Sequence, residues 1–168
     1  MIFEIITTTF NSEKTIEECE ETIRNQQFKD VMWIVIDGKS TDRTIQLLEK
    51  SSLNKNLISE KDRGLYYAYN KGITILNNDE NKIINFLDSD NKYSNNDVLN
   101  KVSEIFNNYS VDVVICDLVY INKFNKIIRY WKSLPDKKPF KIHNEIFFYK
   151  DFILKDFLYG WSMALPTT

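Results

Sequence analysis

Asp88 and Asp90 stand one residue apart at the end of an apolar run, Ile83 to Leu87, within Phe86-Leu87-Asp88-Ser89-Asp90-Asn91. A buried strand that stops in two carboxylates delivers them to the carboxyl edge of a sheet, where open α/β sheets bind ligands. Acids at that density draw a cation. With oxygen donors alone, and no Cys or His nearby, the fitting ions are Mg²⁺ or Mn²⁺ rather than zinc. The plain alternative is a solvated turn, since Asp, Ser and Asn are ordinary turn residues. Acids recur where other apolar runs stop, at Asp37 after Val31 to Ile36 and at Asp117 after Val111 to Cys116. That recurrence favours a shared site over an isolated turn.

The elements that must position these acids follow a strand-then-helix rhythm. Phe3 to Thr8 reads as a first strand, with Asn11 and Ser12 offering caps for a helix running to about Gln26. Ile16, Cys19 and Ile23 share one face of that helix, which makes Cys19 a small core residue and leaves Glu17, Glu18, Glu20 and Glu21 to water. Val31 to Ile36 is a continuous apolar run, expected of a central strand covered on both sides. A helix over Arg43 to Lys50 follows, with Ser40 or Thr41 as N-cap. Leu57 to Ser59 is a short third strand. Asp62-Arg63-Gly64 then turns into a helix over Leu65 to Leu76, with Tyr66, Tyr69, Asn70 and Ile73 on one face. Gly72 inside that helix costs about 1 kcal/mol relative to Ala, which points to close packing or ligand approach.

A fourth strand, Ile83 to Leu87, precedes a helix over Asn96 to Asn107 and a fifth strand in which Cys116 is a buried residue. Val119 to Ile121 and Ile127 to Tyr130 flank a hairpin turn, and Phe140 to Phe148 alternates weakly. Four strand-helix units imply a mostly parallel sheet of the α/β class. The lone histidine, His143, reads as structural.

Composition narrows the function classes. With 168 residues and 43% hydrophobic, the chain holds a domain-sized core. A net charge of -2 gives no electrostatic case for nucleic acid as a partner. Basic residues crowd between Lys123 and Lys155 among aromatics, which suits a solvated face or contact with an anionic membrane surface or acidic acceptor. Two distant cysteines make neither a disulfide framework nor a metal knuckle, and no basic leader or membrane-length apolar run is present. The expectation is a cytoplasmic protein, able to touch the inner face of the cell membrane.

Four stretches carry a resemblance. These are Thr7-Thr8-Thr9-Phe10-Asn11, Val35-Ile36-Asp37-Gly38-Lys39-Ser40-Thr41-Asp42-Arg43-Thr44, the run from Ser59 to Gly72, and Phe86-Leu87-Asp88-Ser89-Asp90. In order and spacing they resemble family 2 inverting glycosyltransferases of the GT-A fold, in particular those of bacterial O-antigen, capsule and exopolysaccharide assembly. A Gly-rich phosphate loop after the first strand is missing, which disfavours a nucleotidyltransferase or a plain dinucleotide-binding fold. The resemblance implies transfer of a sugar from a nucleotide-diphosphate donor, of the UDP-sugar kind, to a lipid-linked or saccharide acceptor.

It assigns Thr8 and Asp37 to the base, Asp62 and Arg63 to a segment closing over the nucleotide, Asp88 to the ribose and the metal's neighbourhood, and Asp90 to the Mn²⁺ or Mg²⁺ that holds the diphosphate. Two departures stand out. Asn91 occupies a position where many relatives carry another acid, implying a weaker metal site. Gly160 to Thr168 resembles a segment that continues in relatives through an acceptor-binding portion. The resemblance therefore implies one GT-A domain over 1–168, with a nucleotide-sugar-binding half at 1–118 and the truncated start of an acceptor-side region at 119–168. Inversion needs a general base, and the motifs identify none; Asp117 is a conceivable candidate against the simpler reading of a strand-end turn. The alternative function is a non-catalytic module that binds nucleotide-sugar.

Overall fold

The computed structural model describes residues 1–76, 81–109, 111–122, 124–131, 140–143 and 146–149. Readings attached to Lys123, to 132–139 and to 150–168 lie outside the described residues, as does the side chain of His143. The chain divides into two compact units, Met1–Lys101 and Val102–Thr168.

The first unit is built on four parallel strands in the order β3-β2-β1-β4: β1 (Ile2–Thr9), β2 (Val31–Asp37), β3 (Lys55–Ser59) and β4 (Lys82–Phe86). The intervening helices are α1 (Ile16–Arg24), α2 (Thr44–Lys50) and α3 (Leu65–Thr74), and α4 (Val98–Asn108) follows β4. Strand β1 is buried from Phe3 to Thr9, and β2 from Trp33 to Asp37, as runs covered on both faces must be. The Trp33 indole N–H inside this core donates to Thr7 Oγ1 at 2.8 Å, so the buried donor is satisfied. Among the described residues β4 stands at the end of the sheet order, with Ile84 and Phe86 substantially exposed, where the apolar run Ile83 to Leu87 had suggested a buried strand.

Helix α3 lies on β1 and β2. A Cβ added at Gly72 would stand 2.6 Å from Ile6 Cγ2, so glycine is what lets the helix axis approach the sheet. The buried residues are Ala68, Tyr69 and Gly72, while Tyr66 and Ile73 face out. Of the residues expected to share one face, Tyr69 alone is buried, next to Ala68 and Gly72. In α1, Ile16, Cys19 and Ile23 are buried as expected, but so is Glu20, whose carboxylate pairs with Arg24 one turn on. The N-cap of α2 is Arg43 rather than Ser40 or Thr41, and Asp42 just before it serves the helix start, its Oδ1 accepting the Thr44 N–H at 2.9 Å. Ser40 is unavailable because its hydroxyl serves Asp37.

In the second unit, Ile105 of α4 packs against Val111 and Val114. Strands β5 (Val113–Cys116), β9 (Ile146–Tyr149) and β8 (Phe140–His143) form an antiparallel sheet, and β6 (Leu118–Ile121) pairs with β7 (Ile127–Trp131) as the expected hairpin. Cys116 is exposed, contrary to expectation, because it is the last residue of β5, beyond the half-buried Val113 to Ile115.

Candidate functional site

The register of the parallel sheet gathers the expected residues at its carboxyl edge. Thr9 lies opposite Asp37, and Asp37 opposite Ser59. Beyond β4 the backbone continues to shadow β1, with the Leu87 N–H donating to Ile6 O at 3.0 Å and the Ser89 N–H to Thr8 O at 3.2 Å. This sets Asp88 beside Thr8. The chain then turns, the Asn91 N–H donating to Asp88 O at 2.9 Å. The stretch is therefore a turn and a carboxylate pair at once, with Asp88 turned in and Asp90 exposed.

Asp88 is fixed from two elements. The Thr8 hydroxyl donates to Asp88 Oδ1 at 2.7 Å, and the Tyr69 phenol of α3 donates to the same oxygen. Phe86 meets the Tyr69 ring edge-on, with 4.9 Å between centroids. Burial raises the Asp88 carboxyl above its ordinary range and the Asp90 charge adds to this, while the two hydroxyl donors pull the other way. The Tyr69 phenol is pushed up by burial and by its bond to Asp88. Behind them the Cys19 thiol, donating to Asp88 O at 3.6 Å, is pushed up to about 12 by burial and by the charges of Asp88 and Asp90. That environment makes Cys19 an inert thiol.

Asp37 is bound into the loop that follows its strand. Its side chain has no exposed surface. Oδ2 accepts from the Lys39 N–H at 3.1 Å, the Ser40 N–H at 2.9 Å and the Ser59 hydroxyl at 2.6 Å, and Oδ1 from the Ser40 hydroxyl. Three of these donors fall on Oδ2 and one on Oδ1, so Oδ1 keeps a lone-pair site while the side chain is held in one orientation. It anchors the β2–α2 loop, in which Lys39 adopts a φ of 71°. Ser40 in turn accepts the Asn11 N–H at 2.8 Å, and Asn11 Oδ1 accepts the Thr41 N–H at 2.8 Å, tying this loop to the one after β1.

Asp62 and Arg63 lie on the segment entering α3. Asp62 Oδ1 accepts the Gly64 N–H at 2.9 Å, and Gly64 takes a φ of 112° that favours glycine. The Arg63 guanidinium is exposed and stands 5.9 Å from the Tyr67 ring centroid. Lys71, in the last turn of α3, pairs with Glu60, which precedes the helix. Asp117 falls in the second unit, between β5 and β6, partly exposed.

Four residues at this edge were given no site role in the motif reading. Phe10 is 62% exposed at the edge, and the Ser12 and Ser89 hydroxyls lie 2.8 Å apart, joining the β1 and β4 loops. Tyr69 is the fourth. A phenol on the buried face of a helix needs an acceptor, and that rule was available to find it.

Among the described residues no three carboxylate, Cys or His side chains stand together as a protein-only cage. Mg²⁺ and its like need less than that, since one or two carboxylates complete a shell of water and substrate phosphates. The exposed Asp90 carboxylate, with oxygen donors alone around it, fits such an ion.

A profile of the family described as glycosyl transferase family 2 matches residues 4–163. The chain belongs to glycosyl transferase family 2. Its relatives include the poly(ribitol-phosphate) beta-N-acetylglucosaminyltransferase TarS of Staphylococcus aureus (strain Mu50), 29% identical over 125 residues, which are 73% of this chain and 22% of that protein. A second is the dolichyl N-acetyl-alpha-D-glucosaminyl phosphate 3-beta-D-2,3-diacetamido-2,3-dideoxy-beta-D-glucuronosyltransferase of Methanococcus voltae, 34% identical over 82 residues, 45% of this chain and 26% of that one. The family 2 chain thus spans about a quarter or less of these relatives' length.

Among solved structures, S. aureus TarS 1–349 in complex with UDP-GlcNAc superposes with a TM-score of 0.61 at 26% identity, over 73% of this chain and 35% of that one. The mannosyltransferase PcManGT from Pyrobaculum calidifontis, in complex with GDP-Man and Mn²⁺, shares the fold at 21% identity and a TM-score of 0.56, over 72% of this chain and 35% of that one. The family 2 sheet with its flanking helices is the GT-A fold.

Proposed function

We propose that this family 2 chain binds a UDP-sugar at the carboxyl edge of its parallel sheet and transfers the sugar, with inversion, to a saccharide or lipid-linked acceptor. The observation that carries the reading is the Thr8–Asp88–Tyr69 cluster with Asp90 exposed beside it. Two hydroxyls hold Asp88 in one orientation, ready to accept from ribose hydroxyls without reorganising. Asp90 would hold Mn²⁺ or Mg²⁺ against the donor diphosphate, and the bound ion would stabilise charge on the departing UDP. Arg63, exposed at the start of α3, supplies a planar cation to the same phosphates. The relative TarS has been solved with UDP-GlcNAc, which favours uridine as the nucleoside. A membrane-borne acceptor is favoured by hairpin β6–β7, which exposes Ile121, Ile128 and Tyr130 beside Lys126 and Arg129.

Calorimetry with UDP, with and without Mn²⁺, tests this reading. The wild type is expected to bind UDP more tightly with the ion present. Asp90→Ala is expected to lose that increment, about tenfold or more in affinity. Equal Mn²⁺-dependent affinity in both proteins would remove Asp90 from the metal site.

A further inference from the structure

Hairpin β6–β7 sorts its side chains by face. Cross-strand partners share a face, and the register pairs Val119 with Tyr130 and Ile121 with Ile127. Between Tyr120 and Ile121 the register shifts, leaving Ile128 as the extra residue of a bulge, and this shift brings Ile127 round to the side of Val119, Ile121 and Tyr130. All four are exposed, Tyr130 to 70%, and the bulged Ile128 is exposed to 66%. The other face carries Tyr120 and its partner Arg129, whose guanidinium lies 5.9 Å from the Tyr120 ring centroid. That contact keeps the charge off the apolar side.

At the turn, Phe124 is 71% exposed. The backbone around it is paired from within. Asn122 Oδ1 accepts the Phe124 N–H at 2.9 Å and the Lys126 N–H at 3.1 Å, and Asn122 O accepts the Asn125 N–H at 2.9 Å. A tip whose donors are already paired can leave bulk water without stranding them. From Leu118 to Pro135 the sequence has no Asp or Glu but four basic residues, Lys123, Lys126, Arg129 and Lys132. An uncovered apolar face marks an interaction surface, and a stretch charged with one sign selects a partner of the other. A dissolved polyanion would engage the charges and leave the apolar face wet, whereas an anionic bilayer engages both.

We infer that hairpin β6–β7 docks this chain on an anionic lipid surface, with Phe124 and the face of Val119 and Tyr130 in the interfacial layer and Lys126 at the headgroups. The inference deepens the membrane-borne part of the acceptor reading above and is independent of the donor site.

Co-sedimentation of the whole chain with phosphatidylcholine vesicles, with and without phosphatidylglycerol, tests it. Binding is expected only with phosphatidylglycerol present, and is expected to weaken as salt rises. Lys126→Gln is expected to lower the partition coefficient about fivefold, the share of one basic residue near the surface. Phe124→Ser and Ile128→Ser are each expected to lower it about tenfold or more, with melting temperature and UDP affinity unchanged. Ile84→Ser, an exposed apolar residue of the first unit, is expected to bind vesicles as wild type does. No binding to phosphatidylglycerol vesicles, equal binding to uncharged ones, or full binding by Phe124→Ser and Ile128→Ser would overturn the inference. So would a dimer that Ile128→Ser abolishes in the absence of vesicle binding, which would give the face to a second copy. A chain that binds vesicles as expected but no UDP would overturn the donor site alone.

Discussion

Asp88 takes the Thr8 hydroxyl and the Tyr69 phenol on one oxygen while it lies mostly out of water, and these facts pull its stability in opposite directions. Burial dominates and raises its carboxyl above the ordinary range, so the folded chain holds that proton more tightly than the unfolded one. Stability from this group is then greatest in acid and is lost as pH rises from the ordinary carboxylate range through the raised value. Asp88→Asn keeps an acceptor for both hydroxyls and removes the charge. Its melting temperature near pH 7 is expected to exceed wild type by about 2 °C, with the gap closing as pH falls to the ordinary carboxylate range. A variant less stable than wild type at neutral pH would contradict this. The acids themselves were legible in the sequence because they end apolar runs. Which neighbours hold each acid was not, since Asp37 and Asp88 follow the same pattern while Asp37 takes its donors from Lys39, Ser40 and Ser59 and Asp88 from Thr8 and Tyr69. Asp62 was legible as part of a motif, but its nearness to Gly38 depends on two loops meeting in space.

At the scale of elements, the four strand-helix units were readable from period and punctuation, and the boundaries moved by only a few residues. The misreadings have a common cause. Glu20 and Cys116 were placed by residue type or helical spacing, while their exposure was decided by which neighbour came close. Gly72 is the clearest case of spacing and packing agreeing. Its approach to Ile6 makes Gly72→Ala an overpacking change, expected to cost about 1–3 kcal/mol despite a gain of about 1 kcal/mol in helix propensity. Urea denaturation of Gly72→Ala, Ile6→Ala and the double variant checks this. The double variant is expected to be more stable than the sum of the single losses predicts, and strict additivity would show that the two residues do not press on each other.

At the scale of the whole molecule, the chain order of the sheet separates what supports the site from what completes it. Trp33 and Thr7 lie 26 residues apart, but Thr8 and Asp88 are separated by 80. Closing the longer loop costs about 1 kcal/mol more in chain entropy. Strand β4, which closes that longer loop, has Ile83 as its one buried residue, so little burial holds it. In native-state hydrogen exchange the amides of Leu87 and Ser89, bonded to Ile6 and Thr8, are expected to open before that of Trp33, bonded to Asn54. Mn²⁺ and UDP together are expected to slow the first pair and leave the third almost unchanged. Equal protection of all three without ligand would refute the order. If it holds, the Asp88 corner assembles as the final step of folding of the first unit, and a nucleotide bound there acts as a latch on the strand that arrives last.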